Sequence, residues 1–252
     1  MAFTAKEAYI IARKFGPDYR RRYIVRAQVQ TRGRQHGVFK ENGFKGGVHV
    51  VDTPEEVQEV AKNMCGKIMV CPETGDQGFL CRTVYITEEL DMLKELYVGI
   101  SHDRSKGCPV IVYGSWSEMP YEEPLGDHEL SHHNGNRHRD PKSMSHFRKI
   151  YVDVSKELNV QDLCEVANQL GISDKKSEII FLLKHLYDCF IQRDAEIIEL
   201  DPLVYTSDQK IVAASTKVVI DDNALYRQAE LKAEQDRTQV NYKERIAQSF
   251  DI

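Results

Sequence analysis

Residues Ile197–Val212 read IIELDPLVYTSDQKIV, and a few positions on, Ile220–Leu231 read IDDNALYRQAEL. The first stretch is an apolar, β-branched run that breaks at Thr206-Ser207-Asp208-Gln209 and then resumes. This pattern predicts two strands, Ala195–Leu200 and Lys210–Ala214, joined by the TSDQ turn. Glu199 and Asp201 stand two residues apart, so a strand places both carboxylates on one face. Paired acids of this kind suit a metal site; the alternative is a solvent-facing strand edge.

Upstream of these strands, helical periodicity runs over Val160–Leu170 and Ser177–Arg193, the second with Ile180, Leu183, Leu186, Tyr187 and Phe190 as its apolar stripe. Glu95–Ser101 and Pro109–Tyr113 read as strands around the turn HDRSKG. Gly114–Ser145 is rich in His, Pro, Gly, Asn and charge and has little periodicity, which predicts a long surface loop. Nearer the N-terminus, Lys6–Phe15 reads as a helix stopped by Gly16-Pro17, and Tyr23–Val29 and Gly47–Val51 as strands. Thr53-Pro54-Glu55-Glu56 is a helix start with a capping box, and the helix carries Val57, Val60, Ala61 and Met64 on one side before ending at Gly66. Ile68–Cys71 and Leu80–Ile86 are further strands, and the segment from Leu225 is polar and helix-prone. Elements in this order make a mixed α+β protein. A change of composition near residue 87 divides it into lobes at 1–87 and 88–237, followed by a polar tail at 238–252.

A second stretch bears on function. QTRGRQHG (residues 30–37) lies between YIVRAQV and NGFKGGV, giving strand, flexible loop, strand, with basic side chains on the loop. Such loops close over phosphates, because glycine lets the backbone approach and arginine neutralises charge.

Composition narrows the classes. The 252 residues are 41% hydrophobic and 29% charged, with a formal charge of −5, which gives no electrostatic reason to expect nucleic acid or an anionic membrane as partner. No apolar run is long enough to span a bilayer. Lys6, Glu7, Arg13 and Lys14 interrupt any signal-peptide core, and Glu7 and Asp18 weaken a transit-peptide reading. Six scattered cysteines without a CxxC pair suggest a reducing compartment.

RAQVQTRGRQHGVF, GFKGGVHVV, KELYVGISHDRS, IIELDPLVYTSDQKIV and IDDNALYRQAEL together resemble the nucleotide-binding half of the succinyl-CoA synthetase β subunit, from about Glu7 to about Tyr242 with a break in the His-rich loop. The last two are the most specific. The resemblance implies an ATP-grasp fold of two α+β lobes that binds ATP or GTP with Mg2+, alongside an α-type subunit that carries a phosphohistidine. Family members in eukaryotes are mitochondrial; the cytoplasm is the alternative, since no clear targeting segment is present.

Carried over position by position, the resemblance puts Arg26 where the family has Lys, and Gly33, Arg34 and Gln35 where it has Gly-Arg-Gly. Arg32, Gln35 and His36 replace Gly, Gly and Lys. A non-glycine residue at a position that needs φ > 0 would cost about 1 kcal/mol. Glu88 matches the hinge carboxylate, with Thr87 as the rival, and Glu95 matches a further nucleotide-site glutamate. At the metal site Asp201 replaces Asn, Ser215 replaces Asp, and Glu199 stands beside them in support. A neutral hydroxyl is a poor substitute for a magnesium carboxylate, so metal binding is expected to be weakened. The C-terminal CoA-ligase domain and the opening helix of the family have no counterpart, and Gly114 and Glu118 are the remnants of a further motif. No catalytic residue is assigned. The expected function is nucleotide binding in a ligase complex with weakened or lost catalysis; the alternatives are a non-catalytic scaffold or regulatory protein and a simple nucleotide-binding module.

Three other features have plainer readings. His128, His132, His133 and His138 share one loop, but a dedicated metal site needs fixed geometry. Arg20-Arg21-Arg22 reads as a solvated turn, and His102 and His185 as structural residues.

Overall fold

The computed structural model describes residues 1–15, 22–31, 33–72, 74–116, 147–234, 236, 239, 240 and 246. The chain divides into two compact units, Met1–Leu90 with Gln235–Ile252, and Asp91–Glu234.

The first unit pairs two helices with two small sheets. Helix α1 (Ala5–Lys14) starts at Thr4, whose hydroxyl accepts from the Glu7 amide, while the Glu7 carboxylate accepts from the Phe3 amide. Strand β1 (Tyr23–Ala27) lies between β3 (Val48–Val51) and β6 (Val84–Glu88), all antiparallel. The second sheet runs β2 (Val38–Phe39), β4 (Lys67–Val70), β5 (Phe79–Cys81). Helix α2 (Pro54–Met64) carries the complete capping box and buries Val57, Val60, Ala61 and Met64. The stretch expected as one strand, Leu80–Ile86, is two strands in different sheets. Cys81 pairs with Lys67 and Val84 with Ala27, so the chain crosses between sheets at Arg82-Thr83. Both faces of that segment are apolar enough to be buried, and sequence alone cannot show that they are buried in different places.

The second unit is a six-stranded antiparallel sheet covered by helices. Its strands are β7 (Met92–Asp103), β8 (Cys108–Ser115), β9 (Arg148–Tyr151), β10 (Ala195–Thr206), β11 (Ile211–Ala213) and β12 (Thr216–Ile220). They are ordered β11-β10-β7-β8-β9, with β12 also on β10. Strands β9 and β12 were not anticipated, and β7 and β10 are far longer than the sequence suggested. Helices α3 (Val160–Gln169) and α4 (Lys176–Gln192) cover one sheet face, where Leu96, Val98, Ile100, Ile111, Ile198 and Leu200 meet Leu163, Val166, Ile179, Leu183 and Phe190. A short helix α5 (Ala229–Ala233) follows. Strand alternation therefore sends Glu95, Tyr97 and Gly99 of β7 and Glu199 of β10 to the other face.

Among the described residues no helix is long and apolar enough to cross a membrane. All six cysteines are free thiols. Of the loop expected over Gly114–Ser145, Gly114 and Ser115 belong to β8 instead, while residues 117–145, with the histidine cluster, and Arg20-Arg21 lie outside the described residues. His102 packs its ring on Phe190, and His185 Nδ1 lies 2.8 Å from the Phe181 carbonyl one turn earlier on α4.

Candidate functional site

In the first unit, the loop expected to be flexible is an ordered 3-10 turn over Gly33–His36. The Gly47 amide donates to the Arg34 carbonyl at 2.8 Å and the Gly46 amide to the Gly37 carbonyl at 2.7 Å, so two segments of the sequence lock together. Gln35 and His36 have no positive φ, so the strain expected of a non-glycine residue is not present at these two positions; Arg32 lies outside the described residues. Glycine is needed instead for close packing. A Cβ at Gly47 would lie 2.5 Å from Met69 Cε and 2.9 Å from the Arg34 carbonyl.

This turn brings Arg34 beside Arg26 of β1. Arg34 Nη1 reaches the Ala27 carbonyl at 3.4 Å, a long bond. Burial lowers both guanidinium pKa values; the charge of Arg34 lowers that of Arg26 further, and Tyr85 partly offsets it. Among the described residues neither arginine pairs with a carboxylate. The β1–β6 register sets Arg26 opposite Tyr85, and Thr87 opposite Ile24, on the same face. Glu88 stands opposite buried Tyr23 instead, so the register places Thr87, not Glu88, on the side of Arg26.

In the second unit, Glu95, Glu199 and Asp201 share the sheet face away from the helices. Strand β10 breaks register between Leu200 and Leu203, and its outer partner changes there from β12 to β11. At that bulge the Asp201 amide donates to the Ser215 carbonyl at 2.9 Å, which brings the Ser215 backbone beside that of Asp201. Sequence reasoning missed three side chains here. The Trp116 indole donates to Asp201 Oδ1 at 3.0 Å. The Tyr97 hydroxyl donates to Glu199 Oε1 at 3.3 Å, and Lys217 Nζ lies 3.6 Å from Glu199 Oε2. The alternation Glu95-x-Tyr97-x-Gly99 was readable from the sequence; the position of Lys217 opposite Glu199 depends on the β10–β12 register.

Magnesium is the ligand against which the resemblance sets these groups. Magnesium holds few protein ligands in a strict octahedron and favours charged oxygen. Ser215 carries a neutral hydroxyl, both carboxylates have protein donors, and among the described residues no three His, Cys, Asp or Glu side chains form a group that could hold a metal.

The motif IDDNALYRQAEL does structural work. Arg227 grips Asp194 through Nε at 2.9 Å and Nη2 at 2.6 Å, and Gln228 Nε2 donates to Asp194 and to the Gln192 carbonyl. These bonds fasten the turn between α4 and β10, where Asp194 has φ +52.

Comparison with known proteins agrees with this architecture. The ATP-grasp domain family matches residues 1–124. The mitochondrial succinate–CoA ligase [ADP-forming] β subunit of Oryza sativa subsp. japonica is 34% identical over 91% of this chain and 50% of its own length. Its counterpart in Saccharomyces cerevisiae is 31% identical over 100% and 55%, and that of Paracoccus denitrificans 32% over 91% and 55%. The chain thus spans about half the length of these relatives. Among solved structures, the ATP citrate lyase of Methanothrix soehngenii aligns with TM-score 0.58 at 16% identity, over 91% of this chain and 47% of that one. The dinucleotide forming acetyl-coenzyme A synthetase 1 of Ca. Korarchaeum cryptofilum aligns with TM-score 0.50 at 13% identity, over 88% and 84%. The chain carries an ATP-grasp domain and is homologous, over nearly its whole length, to about half the length of the succinate–CoA ligase β subunits.

Proposed function

We propose that this protein is a nucleotide-binding chain of the succinate–CoA ligase β type that takes the polyphosphate of ATP or GTP on Arg26 and Arg34. The observation that carries the reading is the arginine pair itself: two half-buried guanidinium groups, each depressed by burial, with the charge of one depressing the other. Like charges held together away from water are unfavourable until an anion joins them. Phosphate oxygens satisfy both forks, and the close-packed Gly46–Gly47 segment fixes the turn that presents Arg34.

By homology the partner is an α-type subunit, and the compartment is the mitochondrion, as the names of the rice and yeast relatives state for those proteins. Ser215 and the already occupied acids support weakened turnover. Recovery of an α-type subunit with the tagged protein tests the partner, and fractionation tests the compartment.

Equilibrium titration with ATP and GTP tests the central claim. Arg26→Ala or Arg34→Ala should each weaken binding about 10- to 100-fold, since a bond to a charged group contributes about 1.5–3 kcal/mol and 1.4 kcal/mol is about tenfold. Absence of binding by the unaltered protein at millimolar nucleotide sinks the reading.

A further inference from the structure

Gly47 joins the two segments that carry the arginine pair. Its amide donates to the Arg34 carbonyl at 2.8 Å, and its carbonyl accepts from the Ala27 amide at 2.7 Å, one residue beyond Arg26 on β1. The peptide that supplies this Gly47 N–H also carries the Gly46 carbonyl, and His49 of β3 holds that carbonyl. Nε2 of His49 lies 3.0 Å from the Gly46 oxygen, and because a carbonyl only accepts, the ring nitrogen donates. The ring is itself fixed in place. It stacks on Phe44 with centroids 4.7 Å apart and planes 21° from parallel, and Phe44 meets fully buried Phe39 at 6.2 Å. Pairing of β1 with β3 sets His49 opposite buried Val25, and Arg26 opposite Val48. Alternation along the strands therefore turns His49 to the sheet face away from Arg26.

We propose that His49 is a positioning residue for Arg34, acting through the Gly46–Gly47 peptide; as a role in ligand binding this rests on the nucleotide reading above. A peptide group is planar, so its carbonyl and its N–H point in opposite directions and turn together. Holding the Gly46 carbonyl on one side fixes the direction of the Gly47 N–H on the other, and with it the Arg34 carbonyl that accepts from it. No side chain at either glycine can set this plane: Gly46 has φ +82, and a Cβ at Gly47 would strike Met69. Glycine backbone is the least restrained of all, so the restraint has to come from a neighbour. His49 supplies it from the core side of the sheet, and its loss loosens the turn that presents Arg34 without removing any group from the ligand.

The full chain and its variants are titrated with ATP. His49→Phe keeps a ring to stack on Phe44 but loses the N–H, and ATP affinity should fall about three- to tenfold, the net effect of one hydrogen bond. Unchanged affinity overturns the proposal. In His49→Gln the side-chain amide extends about as far as the imidazole Nε2, so affinity should return to within about twofold of the unaltered protein. A loss as large as that of His49→Phe overturns the part given to the donor. In an Arg34→Ala background His49→Phe should cost nothing further, since a group that acts through another does not add to its loss. A second loss of the same size places the effect elsewhere than at Arg34 and overturns the proposal. Hydrogen exchange at the Gly47 amide, followed by NMR, reads the clamp without any ligand. It should quicken about three- to tenfold in His49→Phe and not in His49→Gln, and equal protection in all three proteins overturns the clamp. Absence of ATP binding by the unaltered protein refutes the nucleotide reading instead, while the Gly47 amide still decides whether His49 holds the turn.

Discussion

Gly99 shows how a residue with no side chain sets the chemistry of its neighbours. The Tyr97 ring folds over it to reach Glu199, and Tyr97 is itself confined by Trp116 and Phe147. Gly99→Ala puts a methyl group where the Tyr97 hydroxyl lies. Such overpacking costs about 1–3 kcal/mol when the neighbour cannot swing aside. We expect a lower urea midpoint together with a shifted Trp116 emission maximum. An unchanged midpoint and spectrum would show that the Tyr97 ring relaxes freely. Arg26 and Arg34 illustrate the opposite case, in which two large side chains are brought together by a turn and by nothing local to either.

At the scale of elements, termini and turns carry the specificity. Thr53 and Glu56 satisfy each other's backbone amides at the start of α2. Thr53→Ala should lower stability by about 1 kcal/mol in chemical denaturation, within a range of about 0.5–2 kcal/mol; a loss below that range would mean that Glu56 and water cap the helix unaided. The turn from α4 to β10 depends on Asp194, whose carboxyl is lowered from 3.8 to about 2 by Arg227 and then Gln228. A carboxyl depressed in the folded state stabilises above its unfolded value, and that contribution drains away as pH falls through the folded value. The native Tm should therefore fall more steeply between about pH 4 and pH 2 than that of Asp194→Asn. Parallel curves would show that this clamp contributes nothing to acid sensitivity. Capping boxes are local in sequence, which is why the one at Thr53 was readable. The Asp194–Arg227 clamp joins residues 33 positions apart and was not.

Over the whole molecule, two separate cores hold the two units. One gathers Val25, Phe39, Val57, Met64 and Met69, and the other Leu96, Ile111, Leu163, Leu183 and Phe190. Leu183 is fully buried, so Leu183→Ala should cost about 2–5 kcal/mol. Trp116 lies in the second unit, so this loss is expected in the unfolding transition followed by its emission. A midpoint that does not move would mean that the α4 face tolerates a void. Residues 30–37 look mobile to a reader of composition, because loops are judged by the residues they contain. The chain instead spends Gly46 and Gly47, several positions downstream, on binding that turn down.

The sequence by itself determined the kinds of element, the caps and turns, and through five matching stretches the ATP-grasp kinship, because periodicity, capping and motif order are local properties of a chain. The resemblance also singled out Arg26, Arg34, Glu199, Asp201 and Ser215 as candidate site residues. Only the tertiary structure decided what those residues face: a second arginine with, among the described residues, no carboxylate paired to it, and two acids held by Tyr97, Trp116 and Lys217. The physical reason is register. Which side chain stands opposite another across a sheet depends on hydrogen bonds between strands as much as a hundred residues apart, and a shift of one residue would turn every one of these groups to the other face.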